Sequence, residues 1–148
     1  MLAIPPPIWT VLFMAATYFL SDLPIFSGWP LWQKPVAGAV IVLIGFALAF
    51  AAAMQFRRVG TQIRPTSEKN DKLVIDGVFG LTRNPMYSGM TLIALGAALW
   101  VGRPLMFAAP VLVFVVANFF FIPFEEAKMR RQFGDQFDAY TKRVRRWI

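Results

Sequence analysis

Residues 81–89, LTRNPMYSG, place polar side chains around a proline where a polar stretch meets an apolar one. Asn84 and Pro85 are favoured at the N-cap and the first position of a helix, so a helix is predicted to begin here. Unpaired backbone N–H groups at such a start, beside the Arg83 guanidinium, would hold a carboxylate or a phosphate. Spacing alone favours a structural role, with Arg83 flanking a membrane and Tyr87 at its interface.

Two adjacent carboxylates, Glu125 and Glu126, follow the last apolar block. Lys128 and Arg130 lie three and four positions further on, so solvated ion pairs on one helix would explain both carboxylates. A ligand site at the end of a membrane span is the alternative. Asn118 lies two turns before Glu125 on nearly the same face, and an interhelical hydrogen bond is favoured for it over a ligand contact.

Composition narrows the class of protein and its chemistry. The chain has 148 residues, 57% of them hydrophobic and 16% charged, which is typical of one small membrane unit. It contains no cysteine and no histidine. Thiolate chemistry is therefore excluded, and so is the commonest metal ligand, so no metal site is predicted. Any acid–base catalysis must use carboxylates, Tyr, Lys or Arg.

The apolar residues form four blocks, which predict a single all-α integral membrane domain. The predicted spans are residues 7–20, 36–56, 86–101 and 105–124. The domain also contains a cytoplasmic loop over 57–85 and a C-terminal cytoplasmic amphipathic helix over 125–148. Gly134 is expected to break or bend that helix. The first and third spans are shorter than the roughly 20 residues that cross a bilayer.

Basic charge predicts the orientation of these spans. Of the 15 Lys and Arg residues, six lie in residues 57–83, seven lie in 128–146, and the other two are Lys34 and Arg103. Positive charge favours the cytoplasm, so both basic segments and both termini are predicted there, in an inner membrane of bacterial type. Topology and anionic headgroups explain this charge, and nucleic-acid binding is not predicted.

Small residues recur along two of the spans. In the second span they follow steps of seven, four and three, and in the third they are seven residues apart. They are Gly38, Gly45, Ala49 and Ala52 in the second span, and Gly89 and Gly96 in the third. Such stripes let membrane helices approach closely, so close helix packing is favoured for each stripe over a groove for a long apolar ligand.

Four separated stretches within residues 55–148 carry a family resemblance. In order they are RRVGTQIRP, LVIDGVFGLTRNPMYSGM, the EE pair and FGDQFDAYTKRVRRWI. The chain resembles the integral-membrane methyltransferases that include isoprenylcysteine carboxyl methyltransferase and phosphatidylethanolamine N-methyltransferase, especially their small bacterial members. Because four elements occur in the right order, the resemblance is far more specific than any one of them.

The resemblance implies S-adenosylmethionine as cofactor at the cytoplasmic end of a helical bundle, with a lipophilic or membrane-embedded substrate entering from the bilayer. It implies that Arg83 and Glu126 are catalytic. Cofactor-binding positions implied in the same way are Gly77, Phe79, Arg83, Asn84, Pro85, Tyr87, Glu125, Glu126 and Arg143. Members commonly have histidine where this chain has Asn84, so a proton-carrying role of that ring does not transfer.

Three functions are compatible with the residues of this sequence. The methyltransferase is favoured over a membrane reductase of the sterol type, which would use a nicotinamide dinucleotide, and over a non-enzymatic lipid-binding or assembly protein. The cofactor that stabilises the folded protein would separate these functions, because a ligand that binds only the folded state raises its stability. Residue types alone do not identify the methyl acceptor or the oligomeric state.

Overall fold

The computed structural model describes residues 4–26, 28–60 and 72–148. The regular structure in these residues is all helical, with no β-strand, which confirms the predicted all-α class. The helices are α1 (Pro6–Leu20), α2 (Pro35–Val59), α3 (Pro85–Val101), α4 (Ala108–Val116), α5 (Ile122–Phe133) and α6 (Asp135–Arg143). Short 3₁₀ turns at Pro24–Phe26, Gly77–Gly80 and Pro104–Phe107 join them, and a π-helix at Ala117–Phe121 connects α4 with α5.

Two helical segments among the described residues are long and apolar enough to cross a membrane. They are α2, with 25 residues and a mean hydropathy of 2.6, and the continuous run Pro104–Phe133, with 30 residues and 2.5. Large apolar side chains on α2, such as Leu43 and Phe50, are about two-thirds exposed, which suits lipid rather than water. Helices α1 and α3 are apolar but have only 15 and 17 residues, so the count of four spans stays a prediction.

Helices α2 and α3 pack through the predicted small residues. A Cβ atom built on Gly45 would lie 2.7 Å from the Gly89 carbonyl oxygen, and one on Gly89 would lie 2.6 Å from the Gly45 carbonyl oxygen. These distances are too short for any side chain, so the two backbones are in direct contact. This close approach confirms the packing prediction and sets the position of the start of α3.

The C-terminal third differs from the helix predicted over 125–148. The preceding helix does not end at Phe124, because α4, the π-helix and α5 are continuous to Phe133. In a regular helix the ring of Pro123 would clash with the carbonyl four residues earlier, and the wider π turn relieves this clash. Gly134, with φ +48°, separates α5 from α6. Residues 144–148 are not helical.

The bundle has two polar ends. One end carries the start of α3, α5 and α6, together with the residues before α1. At the other end, Arg103 donates hydrogen bonds to the Tyr18 carbonyl oxygen and to Asp22. The Lys34 N–H at this end donates to the Leu99 carbonyl. The two predicted site segments, around Arg83 and around the glutamate pair, therefore meet at one end.

Candidate functional site

A cavity of about 280 Å³ opens at the end of the bundle where α3 begins. Its wall combines apolar and aromatic side chains with five side chains of Lys, Arg or Glu. The lining residues are Pro5–Pro7, Phe56, Lys72, Leu73, Val74, Phe79, Arg83, Asn84, Pro85, Met86, Tyr87, Met90, Glu125, Glu126, Lys128, Met129, Phe137 and Tyr140. An apolar pocket with a few convergent polar groups is the usual form of a small-molecule site.

Arg83 lies in the turn before α3 and is largely enclosed by other elements. Its Nη1 donates to the backbone carbonyl oxygens of Thr141 and Val144, at 3.1 and 2.7 Å. Its Nη2 forms an ion pair with Glu126 at 2.9 Å. The Nε–H is buried and has no partner among the described residues. Arg83 is therefore not a free flanking charge, because it joins α3 to α5 and α6.

Glu126 receives two guanidinium groups. Besides Arg83, Arg146 donates to both of its oxygens, from Nε at 3.1 Å and from Nη2 at 2.6 Å. Glu126 lies beyond the predicted span 105–124. Partial burial acts to raise its pKa, but hydrogen bonds from Arg146 and Arg83 outweigh this effect and hold the pKa of Glu126 below its usual value. The carboxylate is therefore ionised at neutral pH.

Glu125 has a different partner from its neighbour. The hydroxyl of Tyr87, in the first turn of α3, donates to Glu125 Oε1 at 2.7 Å. Tyr87 is 5% exposed, and its ring packs near Phe121 with centroids 6.2 Å apart. The two adjacent glutamates are thus held by different groups, and both line the cavity.

The ion pairs that helical spacing suggested are only partly present. Arg130 pairs with Asp138 of α6 at 2.9 Å, whereas Glu126 pairs across the bundle. Lys128 is only 6% exposed and lines the cavity, so it is not on a solvated face. Glu125 attracts its ammonium group, but burial has the larger effect and lowers the pKa of Lys128. A solvated helix surface therefore does not explain this segment.

Tyr140 connects α6 to the 3₁₀ turn Gly77–Gly80, which precedes residues 81–89. Its hydroxyl donates to the Phe79 carbonyl oxygen at 2.6 Å, and the side chain is buried. Burial raises the pKa of Tyr140 above its ordinary value, so the hydroxyl stays protonated and remains a donor. The Phe79 ring packs edge-on against Phe56 of α2, with centroids 5.0 Å apart, and closes the α2 side of the cavity.

Asn84 occupies the predicted N-cap position of α3, but its side chain does not cap the helix. Its Nδ2 donates instead to the Arg146 carbonyl oxygen at 3.0 Å. Its backbone N–H donates to Thr82 Oγ1 at 3.2 Å. Helix α3 therefore begins at Pro85 as predicted, while the amide group of Asn84 attaches the C-terminal segment.

Seven of the nine predicted cofactor-binding positions line the same cavity; they are Phe79, Arg83, Asn84, Pro85, Tyr87, Glu125 and Glu126. The other two positions, Gly77 and Arg143, are not among the lining residues. Gly77 lies at φ +58° with its Cα against the Gln55 amide. Arg143 is exposed at the end of α6.

Sequence reasoning missed three contributors to this end of the molecule, namely Lys128, Arg146 and the proline run Pro5–Pro7. The run lies outside the stretches that carry the resemblance, and prolines at this place indicate only a helix start. Lys128 had been assigned to a surface pair from its spacing. Arg146 could have been identified as a candidate from the sequence, because it lies next to a tryptophan in the C-terminal stretch that carries the family resemblance.

Comparison with known proteins decides the family. Residues 33–136 match the family model described as phospholipid methyltransferase. The chain belongs to this family. A relative in Oryza sativa subsp. japonica, named as a probable protein-S-isoprenylcysteine O-methyltransferase, is 34% identical over 116 residues. That alignment covers 76% of this chain and 60% of the rice protein.

Two further relatives show how much of the family fold this member spans. Protein-S-isoprenylcysteine O-methyltransferase B of Arabidopsis thaliana is 29% identical over 130 residues, which cover 85% of this chain and 65% of that protein. An uncharacterized Haemophilus influenzae protein is 36% identical over 63 residues, 43% of this chain and the whole of that protein. This member thus spans less than two thirds of its plant relatives. No solved structure matches it.

Proposed function

We propose that the chain is an integral-membrane methyltransferase that uses S-adenosylmethionine to methylate a lipophilic acceptor at the cytoplasmic face. The observation that carries the proposal is the cavity, in which Arg83, Glu125 and Glu126 meet apolar walls at one end of an apolar bundle. Family membership and the names of the plant relatives support the same chemistry.

The lining residues fit the cofactor's groups. S-adenosylmethionine carries an amino group, ribose hydroxyls, a carboxylate and an adenine ring, and it supplies a methyl carbon already activated by a sulfonium. Carboxylates on α5 are suited to the amino group and hydroxyls, and Arg83 with the start of α3 is suited to the carboxylate. Phe79 and Tyr87 provide aromatic surface. The task of the protein is then to align the reactants and to exclude water.

The two glutamates differ in what they can contribute. Both oxygens of Glu126 accept hydrogen bonds from arginines, so this carboxylate holds Arg83 and Arg146 in place. Glu125 is held through Oε1 by the Tyr87 hydroxyl. We therefore assign the direct cofactor contact to Glu125. Glu126 stabilises the same wall of the cavity by holding the two arginines.

An apolar seam between α1 and α4 leads to the main cavity. The gap in this seam, of about 10 Å³, shares Pro6, Tyr87 and Met90 with the main cavity and is lined on α1 by Trp9 and Phe13. It has room for about one water molecule, so an apolar acceptor chain would enter here only if α1 and α4 moved apart. Its polar end would then lie in the main cavity. An acceptor carboxylate needs no base, whereas an amine must lose a proton to a glutamate or to water.

The proposal includes a topology of four spans in one domain, with both termini cytoplasmic. Lys72 and Arg83 of the first basic segment and Lys128 of the second line the cavity, while Lys34 and Arg103 lie at the other end. The positive-inside rule then orients the cavity towards the cytoplasm. Helices α1 and α3 are short for a bilayer, and local thinning or tilted neighbours would accommodate them.

Calorimetric titration of the detergent-solubilised protein with S-adenosylmethionine tests the proposal. The unaltered protein should bind, and Glu125→Gln should bind at least tenfold more weakly because an amide of the same shape is a poorer hydrogen-bond acceptor than a carboxylate. Asp138→Asn is the matched control, since it removes a carboxylate from an exposed ion pair outside the cavity. No binding by the unaltered protein would overturn the function.

The acceptor is identified by a second measurement. Lipid extracts incubated with the protein and isotope-labelled S-adenosylmethionine should yield a labelled lipophilic product in mass spectra. The product mass would also show whether nitrogen, oxygen or sulfur is methylated. Binding of the cofactor without any labelled product would favour a lipid-binding or regulatory role over the enzyme.

A further inference from the structure

The last residues of the chain return to the start of α3. Three consecutive residues before the helix donate hydrogen bonds to this C-terminal segment. The Arg83 N–H donates to the Arg145 carbonyl at 2.9 Å, and Thr82 Oγ1 and Asn84 Nδ2 donate to the Arg146 carbonyl at 2.9 and 3.0 Å. The backbone of the C-terminal segment is therefore attached to all three residues that directly precede α3.

Side chains extend this attachment into the long helix. Arg146 donates to both oxygens of Glu126 and lies 3.4 Å from Asn118 Oδ1. The Trp147 indole N–H donates to the same Asn118 oxygen at 3.0 Å, and its ring lies 4.7 Å from that of Phe114. A polar group deep in an apolar helix must find a partner, and the C-terminal residues supply it for Asn118.

Adjacent arginines of this segment have opposite environments. The Arg145 side chain is exposed, and only its backbone carbonyl takes part in the attachment. The Arg146 guanidinium instead forms an ion pair with the Glu126 carboxylate, which also pairs with Arg83. The neighbouring residue therefore offers a control of the same charge, the same size and the same place in the chain.

We propose that Val144–Trp147 form a positioning strap, in which Arg146 fixes Glu126 and through it Arg83 at the wall of the cavity. This inference rests on the proposed function, because it concerns the cofactor that the cavity would hold. Arg146 does not line the cavity, so it is a positioning residue and not a catalytic one. Its planar guanidinium donates two bonds to one carboxylate, a geometry that lysine does not reproduce.

The first test compares S-adenosylmethionine affinity and steady-state kinetics among Arg145→Met, Arg146→Met and Arg146→Lys. We expect Arg146→Met to weaken cofactor binding tenfold or more, and Arg146→Lys to recover only part of the loss. Arg145→Met should stay within twofold of the unaltered protein. Equal effects of the two methionine substitutions would overturn the strap.

A pH profile separates positioning from a merely structural role. Burial raises the pKa of Glu125 to about 7 and acts to raise that of Glu126, which hydrogen bonds from Arg146 and Arg83 hold below its usual value. Glu125 therefore sets the upper part of the acid limb of cofactor binding, and Arg146→Met should move the lower part, set by Glu126, to higher pH. A substitution that only loosened the fold would reduce the bound fraction without moving that limb. An unmoved limb in Arg146→Met would therefore contradict the positioning role.

A double-mutant cycle tests the strap without the cofactor. Thermal unfolding in detergent should show strong coupling between Arg146→Met and Glu126→Gln, and additivity between Arg145→Met and Glu126→Gln. If Arg146→Met does not fold, Arg146→Lys takes its place, with Trp147→Phe as a second variant that removes the bond to Asn118. Additive effects in both cycles would overturn the strap. Failure of the unaltered protein to bind cofactor would overturn the proposed function instead.

Discussion

The two polar ends of the molecule each place an arginine beside a carboxylate, but in different surroundings. At the far end, Arg103 pairs with Asp22 at 2.7 Å, and the two side chains are 27% and 61% exposed. At the cavity end, Arg83 pairs with Glu126 at 2.9 Å, and the side chains are 14% and 15% exposed. An exposed pair contributes little, whereas an enclosed pair that shares a second arginine fixes the geometry of its surroundings.

The far end also has a cavity, of about 340 Å³, beside Trp29 and Leu105. Its arginine lies over the Tyr18 ring at 4.5 Å and donates to the Tyr18 carbonyl. These contacts connect α1 to the turn before α4. At both ends an arginine lies one or two residues before a proline that begins a helix, and only the packing around that arginine distinguishes a connection from a binding site.

The largest expected difference between the ends is their accessibility from the two sides of the membrane. The chain has no cysteine, so single cysteines at Lys34, Arg58 and Arg143 need no prior substitutions. With an impermeant thiol reagent on intact cells, only the Lys34→Cys variant should be labelled, because the cavity end is proposed to be cytoplasmic. Labelling of Arg143→Cys from outside would place the cavity on the opposite face.

The next difference concerns affinity for the cofactor. Arg83→Ala should weaken S-adenosylmethionine binding about ten- to a hundredfold, since a charge-assisted hydrogen bond is worth roughly 1.5–3 kcal/mol. Arg103→Ala should change it by less than about twofold, because the Arg103 pair lies at the other end. Calorimetry in detergent measures both. Small and equal effects of the two substitutions would mean that Arg83 serves only as a flanking charge that orients the membrane span.

The pH dependence of stability should also differ. The pKa of Glu126 is lower in the folded than in the unfolded chain, so its contribution is present above the unfolded pKa and is lost as pH falls through the folded pKa. The midpoint of thermal unfolding of Glu126→Gln should therefore lie below that of the unaltered protein at pH 7 and converge with it in acid. Asp22→Asn should show a smaller gap at pH 7, and a larger one would contradict the comparison.

The smallest expected effect separates two tyrosines. Tyr87→Phe removes the hydrogen bond to Glu125 but keeps the ring, so cofactor affinity should fall by several fold. Tyr18→Phe at the far end keeps the ring beneath Arg103 and should leave affinity unchanged. Parallel titrations of the two variants would measure this. A loss confined to Tyr18→Phe would reverse the assignment of the ends.

Much of the architecture follows from pattern alone. Apolar blocks predict the helices, and their bounds agree to within a few residues at α2 and α3 because Pro35, Pro85 and Gly102 mark helix ends chemically. The small-residue stripes predict close helix packing, since only glycine permits backbones to touch, and the structure shows that the stripes of α2 and α3 meet each other. The predicted C-terminal helix breaks at Gly134 as expected and continues as α6, but residues 144–148 are not helical, because a helical pattern does not show where the chain must turn back to satisfy Asn118.

The sequence by itself determined the all-α class, the family, and the two segments that supply the candidate site, because each depends on residues close together in the chain. Only the tertiary structure decided how the site is built. It assigned Arg83 and Arg146 to Glu126, joined Tyr87 to Glu125, and buried Lys128 against the cavity. These contacts join residues 20 to 43 positions apart or lie on a face set by packing. Spacing along one helix offers every charge a nearby partner, and only the folded arrangement determines which partner it takes.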